Sequence, residues 1–348
     1  MKRRNIICSV LFILLCNNLH CQLPDSLINY YNHINKAELA IVDSNYSLAL
    51  KNYQDAFRYS KVPFKKDVYN ETICSALLNN YSKSYNNFKE LLNYGYHIDS
   101  LINKVELNGF FVSKYGKKLK KYAKKDIKLY NTELREKYDS LFIADQFFRL
   151  KKGSYAVYGD TIEKIDNSNV HIIKGLISQY GFPSQKLVGL YPDFNYNSIL
   201  IMIIHNQVGN RHGQYFNFTE ILYDALYQGE LDSRIAFQLI AGSTGVDTYG
   251  YFISGVVKHG LDTNNNKDNK DVKLSAWGFY RLKKEEEQEC DEKRKDIGLC
   301  TLQELRIKTI FNLKDNRFLI TNQGGKRIHY WLYEKDYQKA INNLIIIE

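Results

Sequence analysis

Residues 166–205, DNSNVHIIKGLISQYGFPSQKLVGLYPDFNYNSILIMIIH, constrain the fold of this chain more than any other stretch. Val170, Ile173, Leu176, Ile177 and Tyr180 recur at three and four residues, the spacing of one buried helical face. Asp166 or Asn169 suits the N-cap, because a short side-chain oxygen accepts a backbone N–H that the first helical turn leaves unbonded. Gly181 follows the last periodic residue and Pro183 lies just beyond. Glycine adopts the left-handed conformation of a C′ residue at little cost, and proline cannot extend a helix, so the pair predicts a sharp stop. Residues 199–204 are continuously apolar and must be buried, but periodicity does not separate helix from strand there. His205 ends the run, where core meets solvent.

A chain of 348 residues has room for roughly two domains and a sizeable core. Its N-terminus reads as a signal peptide spanning 1–21: Lys2, Arg3 and Arg4 are basic, residues 6–16 are apolar, and Cys21-Gln22 follows as a cleavage point. The apolar run is too short to cross a bilayer, which takes roughly 20 residues, and no later stretch reads as transmembrane. The expected location is therefore outside the cytoplasm, periplasmic or at a bacterial cell surface. The formal net charge is +10, three of it from the signal. Of the six cysteines, Cys74, Cys290 and Cys300 remain after cleavage. Export permits a disulfide between Cys290 and Cys300; two thiols are the alternative.

Residues 24–125 read as helical hairpins of the tetratricopeptide-like kind. Ala37, Ala40, Ala49, Tyr53 and Ala56 fit the positions where small residues let paired helices approach and an aromatic fills the seam. A second unit lies 35 positions on, with Tyr46 matching Tyr81, Ala49 matching Ser84 and Tyr53 matching Phe88; such repeats have a period of about 34 residues. Stacks of this type bind a partner on their concave side, or they brace the next domain.

Residues 114–128 carry Lys114, Lys117, Lys118, Lys120, Lys121, Lys124, Lys125 and Lys128. Beneath them, Leu119, Tyr122, Ala123, Ile127, Tyr130 and Leu134 form an apolar stripe at helical spacing, so the lysines are expected on the wet face of an amphipathic helix joining two domains. An anionic surface is the sharper reading of that face. Nucleic acid is not an expected partner, because export removes the protein from it.

Further on, Asn217 or Thr219 caps a helix ended by Gly229, and residues 233–241 form another. Residues 261–271 are rich in Asn, Asp and Lys. They resemble a calcium loop only until the sixth position, where Lys267 replaces the glycine, and the twelfth, where Lys273 replaces the glutamate; a surface loop is expected. Residues 272–282 read as a strand, and Thr301…Glu304 is a capping box opening a helix to about residue 310. Alternation at Phe318 and Ile320, a turn at Asn322-Gln323-Gly324-Gly325, and alternation at Ile328, Tyr330 and Leu332 predict a β-hairpin. Asp336 is placed to cap a closing helix that ends at residues 344–347. The expected class is thus mainly α: repeat hairpins over 24–125, a mostly helical domain over 126–310, and a small C-terminal β-hairpin plus helix over 311–348.

The ordered series Asp145-Gln146…Arg149, Asp166…Asn169, Tyr180-Gly181-Phe182-Pro183, Val188-Gly189, His205, Tyr249-Gly250 and Asp291…Arg294…Ile297-Gly298-Leu299 resembles a bacterial domain family of unknown function. The similarity spans about residues 134–305. The resemblance implies a mostly helical fold, a place in envelope proteins behind tetratricopeptide-like repeats, and no particular reaction. The chain departs from the family at residues 243–247, where the family carries an acidic-Arg pair and a Gln before Tyr-Gly.

No G-x-S-x-G elbow and no phosphate-binding Gly-rich loop occurs. His205 and His212 lack zinc-motif spacing, and the mature cysteines do not cluster, so no metal and no cofactor is expected. The resemblance leaves a candidate set: His205, Asp145, Arg149 and Asp166 as a catalytic group, with Asn169, Tyr180, Asp291 and Arg294 as binding residues. Gathered in a cleft, His205 would act as general base, oriented by a carboxylate, with Arg149 or Arg294 holding an anion. Gathered in a sealed interior, the same groups lock helices together. The first expectation is an exported protein-interaction or scaffold module whose partner is another envelope protein. The alternative is an envelope hydrolase using the His205 cleft.

Overall fold

The computed structural model describes residues 23–191, 198–210, 216–244, 249, 254–259, 276–320, 327–331, 338–339, 341–342 and 344–346. The expected signal peptide, the Asn-rich loop at 261–271, His212 and the turn at 322–325 lie outside the described residues.

The fold is mainly α. Helices α1 (Asp25–Val42) and α2 (Tyr46–Phe57) form one antiparallel hairpin, and α3 (Lys65–Leu77) and α4 (Tyr81–Asn93) form the next. The two hairpin turns repeat each other 35 residues apart. Ser44 and Asn79 each take a positive φ, 56° and 59°. Asn45 and Asn80 then cap the returning helices, accepting from Leu48 N at 3.1 Å and Lys83 N at 3.3 Å. Ala37, Ala40, Ala49, Tyr53 and Ala56 are all buried in the seam, as their sizes predict.

Short helices α5 (Asp99–Ile102) and α6 (Asn108–Val112) lead to α7 (Lys114–Ala123). All eight lysines of 114–128 are exposed and Leu119 is buried, so the amphipathic reading holds for α7 itself. The helix stops at Ala123, however. Asp126 takes φ 46°, and Ile127 and Leu129 stand exposed where the stripe was expected to continue.

Helices α8 (Thr132–Arg149) and α9 (Ser154–Tyr180) form a long hairpin turned at Gly153, which takes φ 91°. The α9 helix begins twelve residues before Asp166. Asp166 and Asn169 are therefore not caps but buried mid-helix residues. Its end is as expected: Gly181 takes φ 89° and its N–H bonds Ile177 O at 2.9 Å. After α10 (Gln185–Val188) comes α11 (Ser198–Asn210), so residues 199–204 are helical, and His205 lies half-buried within the helix, where core meets solvent as expected. Helix α11 packs on α8, α9 and α13. Helices α12 (Thr219–Tyr227) and α13 (Ser233–Thr244) follow, then strands β1 (Ser254–His259) and β2 (Ala276–Tyr280), then α14 (Lys284–Asp296) and α15 (Leu302–Lys314). The expected capping box opens α15: Glu304 N bonds Thr301 Oγ1 at 3.2 Å and Thr301 N bonds Glu304 Oε2 at 2.9 Å.

The small C-terminal sheet also contains β3 (Arg327–Trp331) and β4 (Leu344–Ile346), in the order β3-β1-β2-β4. Its antiparallel hairpin pair is β1 with β2, register Val256 opposite Trp277. The arms expected at 318–320 and 328–332 do not pair with each other. Strand β3 runs parallel to β1, with Val256 opposite Ile328. Residues 318–320 dock on α3 through side chains: Asn70 accepts from Leu319 N at 2.8 Å and donates to Leu319 O at 3.0 Å, filling both backbone groups that a strand partner would have taken. The expected helical end at 344–347 is corrected likewise, since Leu344–Ile346 pairs antiparallel with β2. One apolar cluster runs from Leu23 to Ile320 and includes residues of all three expected segments; Phe279, Cys290 and Leu302 form a satellite.

Candidate functional site

Helix α8 sets the first two residues of the site. Asn131 caps its start by accepting from Leu134 N at 2.9 Å. Asp145 and Arg149 follow one turn apart near its end, a spacing that puts them on one face. Helix α9 brings Asp166 and Asn169 against that face, and α11 supplies His205. The side chains of Asp145 and Asp166 are 2% and 5% exposed, Arg149 10% and His205 27%.

Asp145 is the hub. His205 Nδ1 lies 3.1 Å from its Oδ2 and 3.3 Å from its Oδ1. Gln146 Nε2 donates to Oδ2 at 2.6 Å. Arg149 Nε sits 3.3 Å from the same oxygen as an ion-pair contact without hydrogen-bond alignment. The Arg149 guanidinium also bonds Asp166 Oδ1 and donates to Tyr155 Oη at 2.7 Å. Asn169 Nδ2 reaches Leu141 O at 3.4 Å, tying α9 to α8.

The two carboxyls respond oppositely to this setting. Burial pushes Asp145 up, but the His205 bond and charge, then the Arg149 charge, outweigh it and hold the carboxyl below its ordinary value. At Asp166 burial wins over the Arg149 bond, and its pKa is raised. Burial also opposes the Arg149 charge, yet the bonds to Asp166 and Tyr155 and the charge of Asp145 raise its pKa. Asp145 is thus a committed anion that fixes the His205 ring through Nδ1.

The structure gathers five of the expected set and places three elsewhere. Asp291 and Arg294 belong to α14 and shape the turn into α15. Asp291 Oδ1 accepts from Leu302 N at 2.7 Å. Buried Arg294 donates to Cys300 O at 2.6 Å and to Tyr249 O at 2.7 Å, around Gly298, which takes φ 73°. Tyr180 stands partly exposed at the last turn of α9. Cys290 and Cys300 carry no disulfide. Their side chains meet different surroundings: Cys290 packs with Phe279 and Leu302, while Cys300 Sγ lies 3.8 Å from Arg294 Nη2.

Sequence reasoning missed a second, larger charge cluster. Arg234 on α13 donates to Asp67 on α3 at 2.8 and 2.9 Å, to Glu38 on α1 at 3.0 Å and to Asp232 at 2.5 Å. Lys308 on α15 reaches Glu38 at 2.6 Å, and Tyr30 donates to Asp67 at 2.6 Å. Lys66 is buried beside them with its ammonium 3.2 Å from Ile320 O. Burial, then the Arg234 charge, brings the Lys66 pKa down to about 8. Partners 167 to 270 residues apart leave no spacing signal in the chain; only Asp232-Ser233-Arg234 is a local trace.

Among the described residues no group of three or more His, Cys, Asp or Glu is arranged to hold a metal ion, and no helix is long and apolar enough to cross a membrane. A cavity of about 780 Å³ lies between α1, α14 and α15, lined by Tyr31, Asn35, Asp291, Cys300 and Glu304 among others, and His205 is not in its lining. Comparison with known proteins finds no matching family model, no matching curated protein and no matching solved structure.

Proposed function

We propose that the chain is an exported envelope protein working as a protein-interaction or scaffold module. The observation that carries this reading is the closure of the polar cluster. Asp145 and Asp166 are both buried and both paired with Arg149, so neither carboxylate faces a substrate. A buried network of charge pairs of this kind holds helices in one arrangement. On this reading the N-terminal hairpins are degenerate tetratricopeptide-like units that offer the partner surface. Leu48, Tyr59, Val62 and Leu78 stand exposed on them, and single-partner recognition by such side chains fits a repeat stack. The Lys114-to-Lys128 run is the accessory contact for an anionic surface, and export rests on the basic and apolar N-terminal sequence. The motif series, read as resembling a bacterial envelope family, points to the same location.

The test is capture from native envelope with the full chain as bait. Leu48→Asp with Leu78→Asp is expected to abolish recovery of the partner, while His205→Ala retains it. Recovery by the hairpin double variant at the level of the unaltered chain would refute the scaffold reading. A second reading, an envelope hydrolase, draws on one observation: Asp145 orients His205 through Nδ1 while the ring remains partly exposed, as a general base requires. His205→Ala decides it: cellular function kept while only the melting temperature falls would exclude catalysis by His205.

A further inference from the structure

The hairpin of α8 and α9 ends in a tip that puts large apolar side chains into water. Phe147 is 54% exposed, Leu150 79%, Tyr155 55% and Val157 64%. A folded chain does not normally leave such a cluster uncovered, and one rimmed by polar groups marks a docking surface. The sequence of the tip settles its charge: Lys151 and Lys152 stand exposed at the turn, and no acid occurs from residue 146 to 159. Lys151 Nζ lies 4.2 Å above the Phe147 ring and 4.8 Å above Phe148. Its ammonium therefore sits over the aromatic faces as a cation–π partner, with positive charge held directly beside the exposed apolar side chains.

We propose that this tip inserts into the headgroup layer of an anionic lipid bilayer, with Leu150 and Phe147 entering the acyl boundary and Lys151 and Lys152 meeting lipid phosphates. Layering of apolar, aromatic and cationic groups is what an interfacial anchor requires, because lysine stems snorkel while their ammoniums stay at headgroup level. The end of a helical hairpin is convex, which suits a planar surface. A second copy of the chain is a poor occupant, since a symmetric contact would bring the Lys151-Lys152 pairs together. The inference goes beyond the scaffold reading and stands without it. It also links the membrane to the candidate site, because Tyr155 in the tip accepts the 2.7 Å bond from Arg149.

Sedimentation of the full chain with vesicles of phosphatidylglycerol and phosphatidylcholine tests it, with pure phosphatidylcholine as control. Binding is expected only to the anionic vesicles. Phe147→Ser with Leu150→Ser should weaken it at least tenfold. Lys151→Gln with Lys152→Gln should weaken it about 25-fold, at about fivefold for each lysine near such a surface. Both changes lie at exposed positions and should leave the melting temperature intact; Leu150→Trp gives an independent readout through a blue shift on vesicle addition. No binding, equal binding to neutral vesicles, or tip variants that bind like the parent would overturn the proposal. So would weakening caused only by Lys117→Gln with Lys121→Gln on α7. Tip variants that change self-association or partner capture while vesicle binding stays constant would assign the tip to a protein instead.

Discussion

Two buried charge clusters occur in one chain, and they differ in how far they reach. The first joins Asp145, Arg149, Asp166 and His205 on three neighbouring helices, and its most open member is His205. The second joins Glu38, Asp67, Asp232, Arg234, Lys66 and Lys308, ties α1 and α3 to α13 and α15, and has fully buried carboxylates at its centre. A short-range cluster can be re-formed by local adjustment of its helices. A long-range one fixes the N-terminal hairpins against α15, and each lost member strands several others. The difference teaches that the more consequential network for stability is not the one that looks like a site.

The largest expected effect follows. Arg234→Met leaves Asp67, Asp232 and Glu38 buried without their shared cation and should cost about 3–5 kcal/mol, read from urea unfolding. A loss under about 1 kcal/mol would erase the distinction between the clusters. Arg149→Met strands two carboxylates at a more open place and should cost about 3 kcal/mol; equal losses from the two arginine variants would make the clusters equivalent.

Lys66 sharpens the comparison through pH. Its folded pKa, about 8, lies below the ordinary 10.5, so above pH 8 the unfolded chain binds more protons than the folded one. Stability from this group therefore rises as pH increases from 8, and its penalty is fully present below 8. The gain should be on the order of 2 kcal/mol by pH 10, where ionisation of buried tyrosines begins to oppose it. Lys66→Met should flatten that rise; an unchanged alkaline profile would remove Lys66 from the argument. The smallest effect belongs to His205→Gln, which keeps a hydrogen-bonding group beside Asp145 at a partly exposed position. It should cost about 1 kcal/mol or less, fully present near neutral pH and fading toward acid pH as Asp145, whose depressed pKa His205 supports, protonates in both proteins.

What could be read from the chain follows the same division between near and far. Asp145 and Arg149 were legible because four residues make one helical turn, and the Gly181 stop because a left-handed residue before a proline leaves few choices. Asp166 was misjudged as a cap because Asp166-Asn167-Ser168-Asn169 looks like a helix start. In the fold, pairing of Asp166 with Arg149 overrides that local preference, and the helix passes straight through. Residues 318–320 alternate like a strand, yet Asn70 takes both backbone groups of Leu319, a partnership no local pattern encodes. Arg234 illustrates the limit most fully: every carboxylate it binds except Asp232 lies more than 160 residues away.

Beyond the kink at Tyr158, α9 continues without interruption from Gly159 to Tyr180, a rod of about 33 Å at 1.5 Å per residue. Tyr155 and Val157 lie ahead of the kink, the rod itself bears Asp166 and Asn169, and its far end leads to Phe182 and Pro183 in a small cavity beside Asp232. Asp166 and Asn169 fasten that rod to α8, so the buried pairings belong to the straight stem and the exposed tip to the separate segment ahead of the kink.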